Sequence, residues 1–147
     1  MVAAAWRAAE PARARTIDAR TAALTGARRI DAPSLSLVLS WETDSSDVDL
    51  FLRDGSGDVS IDSPRLVGSQ RAHASDGFGP EAVALSGERG RRQKAHVGVR
   101  LRTKGPMGNA MGVVHVVDHD GAGHVAVSAR PFVLMNEGAE VDLGDVE

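Results

Sequence analysis

Two stretches of this chain alternate apolar and polar side chains with period two. "SLSLVLSW" sets Leu35, Leu37, Leu39 and Trp41 on one side and serines mainly on the other. "VDLFLRD" repeats the device with Val48, Leu50 and Leu52. Only an extended strand places every second side chain on one face, so both stretches predict strands with one buried face. "DGSG" then supplies a hairpin turn. The same reading extends to Val59–Asp62, Ala82–Leu85, Ala95–Arg102, Met111–Asp118, His124–Leu134 and Ala139–Leu143. "TKGPMGN" and "DHDGAG" form the turns, rich in residues that tolerate positive φ. About eight short strands with no crossover helix between them predict an all-β fold. The expected architecture is an antiparallel β-sandwich, Ig-like or jelly-roll-like, with Trp41 in its core. The polar segment 63–80 reads as one long loop.

Residues 1–33 are different in kind. They are rich in alanine, with six arginines against three acids, and few β-branched residues. These are helix formers, which predicts helix from about Val2 to Ala9 and from Pro11 to Leu24, with Pro11 in a first turn and Gly26 as the stop. The expected division is a helical or flexible N-terminal extension over 1–33 and a sandwich domain over 34–147, dispensing with the extension. A start of this composition suits a piece of a longer protein.

Composition removes several function classes. The absence of cysteine excludes disulfides, thiolate metal sites and a cysteine nucleophile. Net charge is only −3 and aromatics make up 3%, which argues against a nucleic-acid partner held by a basic field or by base stacking. No stretch reaches the length of a membrane span, and the N-terminus lacks signal-peptide organisation. The charge is nonetheless segregated. Residues 42–62 hold seven acids and one arginine, and residues 88–104 hold seven bases and one acid.

The acidic stretch carries the candidate chemistry. If Val48, Leu50 and Leu52 face inward, Asp47 and Asp49 share the opposite face, with Asp44 in the turn before them. Asp76 and Glu81 flank "GFGP", whose glycines permit a tight path with exposed carbonyls. Carboxylates and carbonyl oxygens are the ligands Ca²⁺ prefers, so Asp44, Asp47, Asp49, Asp76 and Glu81 form a candidate calcium site, although the spacing is not that of an EF-hand. The competing reading makes Asp44 a turn cap and the others solvated or arginine-paired. A third reading uses the same carboxylates as acid and base of a glycosidase-like hydrolase, which needs a cleft beside them. The five histidines lack metal-site spacing, although His115 and His124 are expected to approach across the last hairpin. No G-x-S-x-G nucleophile elbow occurs.

Two separated blocks resemble the YfaP-like family, a bacterial domain of unknown function. Trp41, Thr43, Asp44, Asp47, Asp49 and Leu50 match the first block, a strand ending in Trp and followed by an Asp-rich turn. Asp76, Gly77, Phe78, Gly79, Pro80 and Glu81 match the second, about thirty residues later. Phe78 stands where tyrosine is commoner, and "RGRRQK" replaces a Pro-Gly turn. The resemblance spans roughly residues 34–143. It implies a β-sandwich of envelope or secreted proteins, beside helical-repeat or von Willebrand A-type domains, and implies no enzyme activity. The expected function is a non-enzymatic accessory or binding module of a larger bacterial protein, taking a protein or glycan ligand and steadied by Ca²⁺. The expected location is the cell envelope or outside the cell if the chain is part of a longer one, and otherwise the cytoplasm.

Overall fold

The computed structural model describes residues 9–23, 33–54, 57–60, 69–72, 80–86 and 95–146. Pro11–Arg13 form a 3-10 turn, which runs into helix α1 (Ala14–Ala23). Nine strands follow among the described residues: β1 (Ser34–Trp41), β2 (Asp47–Asp54), β3 (Gly57–Ser60), β4 (Ser69–Ala72), β5 (Glu81–Ser86), β6 (Ala95–Thr103), β7 (Ala110–His119), β8 (Val125–Leu134) and β9 (Glu140–Val146). They form a five-stranded sheet in the order β4-β5-β1-β7-β8 and a four-stranded sheet in the order β3-β2-β6-β9. All pairings are antiparallel. The fold is therefore the expected all-β sandwich.

The alternation does what period two requires. Leu35, Leu37, Leu39 and Trp41 from β1 meet Val48, Leu50 and Leu52 from β2 in one core, with Val97, Val99 and Leu101 from β6 beside them. Trp41 is buried, and its indole N–H donates to the carbonyl of Ser46 at 3.0 Å. Register places Trp41 opposite Gly112, and Gly112 opposite Phe132. The small residue is required: a Cβ on Gly112 would lie 2.2 Å from the Ser40 carbonyl oxygen and 2.8 Å from Phe132 Cζ.

Three boundaries differ from expectation. Ser69–Ala72 is a strand within the segment expected to be one loop, paired with β5 from Ser69↔Leu85 to Ala72↔Ala82. Its polar, four-residue sequence carries no alternation, so only the neighbouring strand selects it. The strand β3 starts at Gly57, two residues before the expected Val59, because Asp54↔Gly57 closes a tight hairpin. The strand β9 runs on to Val146, past the expected Leu143. Gly144, at φ 86°, permits the register shift on the way, and its N–H donates to Asp142 Oδ1 at 2.7 Å. The expected helix over residues 2–9 and the stop at Gly26 lie almost wholly outside the described residues.

A sandwich has open edges, and two charged side chains close them. At one edge Glu81, on the core-facing side of β5, reaches across to β2 and accepts a hydrogen bond from the Leu50 N–H at 2.8 Å. Leu50 lies one residue beyond the last β3-paired position, Phe51, so the carboxylate replaces a missing strand. At the other edge Arg130 of β8 donates to the carbonyls of Leu143, Gly144 and Asp145 at 2.8, 3.0 and 2.5 Å, tying β8 to β9. Pro131 follows it and removes an N–H from the β8 edge.

Candidate functional site

The acidic cluster is answered by the chain's own cation. Asp44 sits in the β1–β2 turn, and its Oδ1 accepts from the Ser45 N–H at 2.9 Å, beside a Ser45 backbone at φ 60°. Asp49 is paired with Arg102 across the β2–β6 strand pair. Glu81 is buried and bonded to Leu50. The bond to Asp49, and then its charge, hold the Arg102 guanidinium above its ordinary value, with Asp47 and Glu81 adding to the same field. The like charges are thus offset in part by one guanidinium, which pairs directly with Asp49 and acts on Asp47 and Glu81 through its charge alone. Among the described residues no group of three or more acids or histidines is arranged to hold a metal ion. Asp76 and the "RGRRQK" run lie outside the described residues.

The rest of that face continues the pattern. On the outer side of the four-stranded sheet Arg100 Nε donates to Glu140 at 2.7 Å, and Arg53 reaches the same carboxylate at 3.5 Å. His96 Nδ1 lies 3.0 Å from Asp145. Phe51 lies among them, with the guanidiniums of Arg53 and Arg100 at 5.4 and 5.5 Å from its ring centre. Its ring rests on Gly98, where a Cβ would come within 2.2 Å of Cζ. Each exposed pair stabilises little, and together they make the described part of this face an array of ion pairs.

The opposite face has another chemistry. The outward positions of the five-stranded sheet are Ser34, Ser36, Val38 and Ser40 on β1, Ala82 and Ala84 on β5, Met111, Val113, His115, Val117 and His119 on β7, and alternate residues from Val125 to Val133 on β8. None of these is Asp, Glu, Lys or Arg. At one end lies a shallow groove of about 380 Å³. Its floor is the backbone of Trp41, Gly112 and Phe132, which point inward. Ser40, Val113 and Pro131 wall one side, and Glu42, Met111 and Val133 the other. Met111, Val127 and Val133 are exposed. None of Asp44, Asp47, Asp49 and Glu81 lines this groove.

The sequence analysis does not find this face, because alternation identifies the core side of each strand and is silent about what the other side meets. The signal was available in the apolar residues of β7 and β8 on both parities. The histidine expectation is corrected: His115 pairs with Ala129, and His124 lies beyond the end of the ladder, beside Asp120 at 2.8 Å. Asp120 also accepts from the N–H groups of Ala122, Gly123 and His124, which fixes the β7–β8 turn.

Fold and surface together define a two-sheet antiparallel module with one ion-paired face and one uncharged face. No protein family, curated protein or solved structure matches the chain. No helix among the described residues is long and apolar enough to cross a membrane.

Proposed function

We propose that the chain is a non-catalytic binding module of a larger bacterial protein, which grips an apolar protein segment in the groove beside Gly112. The uncharged outer face of the five-stranded sheet carries this reading. The β8 edge is blocked by Arg130 and Pro131, and the described outer face of the four-stranded sheet carries ion pairs, which favours the uncharged face as the binding surface. Met111, Val113, Pro131 and Val133 make the groove walls mainly aliphatic, with Ser40 and Glu42 among them, while Trp41 and Phe132 turn their rings inward. A sugar would find no exposed ring to stack on, whereas apolar side chains of a protein would be accommodated. Glu42 stands at the rim, so a basic residue next to the apolar ones is favoured. The resemblance to YfaP-like domains supports neighbouring domains in the same polypeptide and an envelope or secreted setting.

The test is a displayed-peptide selection on the full chain and on a Met111→Lys, Val133→Lys variant. Apolar peptides carrying a lysine or arginine should be enriched on the unmodified chain alone. Equal enrichment on both would show that the groove is not the binding surface. Hydrolysis of aryl glycosides that is lost in Asp49→Asn would establish the hydrolase reading in its place.

A further inference from the structure

Burial on the uncharged face is uneven in a way the sandwich core does not explain. Ser34 and His119 are directly opposite across β1 and β7 and point away from the core, yet both are 0% exposed. Ser36, the next outward position on β1, is 4% exposed. The same face is open on the edge strand β8, where Val127, level with Ser36, is 61% exposed, and at the far end, where Val133 is 53% exposed. A cover therefore sits over the beginning of β1.

Helix α1 holds the complementary observation. Ile17 is 0% exposed, yet it is not among the residues that make the core between the sheets. The helix therefore buries its isoleucine outside the core, just as the sheet buries Ser34, Ser36 and His119 outside it. Connectivity joins the two. Only ten residues separate Ala23 from Ser34, so α1 is tethered to the very end of the sheet that is covered. A short tether keeps the local concentration of the helix high and lowers the cost of docking. Its remaining positions are alanine, arginine, threonine and aspartate, which suits a helix seated by one apolar side chain.

We infer that α1 is a built-in strap, seated by Ile17 on the outer face of the five-stranded sheet over Ser34, Ser36 and His119. It covers this polar patch at a cost, because neither ring nitrogen of His119 nor the Ser34 hydroxyl has a hydrogen-bond partner, so the cover is held by apolar contact at Ile17 and by the tether. It also sets one boundary of the face, leaving the groove by Gly112 open at the other end. The functional domain then begins before α1 rather than at residue 34. This inference does not depend on what the groove binds.

Histidine acylation by diethyl pyrocarbonate, located by mass spectrometry on the full chain, tests it. His96 and His124 are exposed and serve as internal references. In the unmodified chain His119 should react at least tenfold more slowly than they do. Ile17→Asp should bring His119 to within about threefold of the references, while amide exchange in β2 and β6 stays protected, which shows that the sandwich is intact. If Ile17→Asp does not fold, Ile17→Ala should raise His119 reactivity several-fold under the same control. The inference is overturned if either folded variant leaves His119 as slow as before, because Ile17 would then be buried elsewhere. It is equally overturned if His119 of the unmodified chain reacts as fast as His124.

Discussion

Replacing Glu81 by alanine removes the carboxylate that closes the β2–β5 edge. The side chain is 1% exposed and accepts the Leu50 N–H at 2.8 Å. A hydrogen bond to a charged group contributes about 1.5–3 kcal/mol, and the stranded Leu50 N–H would be left facing a hole. The variant also takes one carboxylate from the field around Arg102. A net loss of about 3 kcal/mol follows. For a chain of this size that is a fall in Tm of roughly 6–12 °C. Urea unfolding followed by tryptophan fluorescence, together with calorimetry, measures both quantities. Glu81→Gln discriminates between causes, since its amide oxygen can still accept from Leu50. It should lose only about 1 kcal/mol. Alanine and glutamine variants of equal, large effect would show that charge, not the bond to Leu50, is what matters. An alanine variant melting within error of the parent would refute the edge-closure argument altogether.

Gly98→Ala should destabilise by about 1–3 kcal/mol in chemical denaturation, because the new methyl displaces the Phe51 ring. Most of that loss should vanish in a Phe51→Leu background, and a persistent loss would place the strain elsewhere. Asp120 is lowered from the ordinary 3.8 to about 2, first by its bond to His124 and also by the N–H groups of Ala122 and His124. A depressed carboxylate stabilises the turn fully above pH 3.8, and that contribution is lost as pH falls towards 2. Carboxyl chemical shifts should report the low midpoint, and His124→Ala should move it upward. With Asp49 paired to Arg102 and Glu81 bonded to Leu50, millimolar calcium should leave Tm within about 1 °C of that in chelator, against the roughly 2.7 kcal/mol expected at a hundredfold excess over Kd. A calcium-dependent rise lost in Asp47→Asn with Asp49→Asn would establish the metal site.

Period two was legible in the chain because a strand must alternate its side chains whatever it pairs with. That local geometry identified β1, β2 and the apolar sets that fill the core, including Trp41. Composition likewise indicated a helical start, since alanine and arginine favour a helix without help from neighbours. The site was another matter. Glu81 and Asp49 looked equivalent as carboxylates in the sequence, yet register turns one inward to Leu50 and the other outward to Arg102, 53 residues away. The strand β4 has no pattern of its own and exists because β5 offers it an edge. Whether an outward residue meets water, a guanidinium or a covering element depends on which strands lie side by side. Alternation fixes the face on which a residue stands; only the pairing of distant strands decides what that face meets.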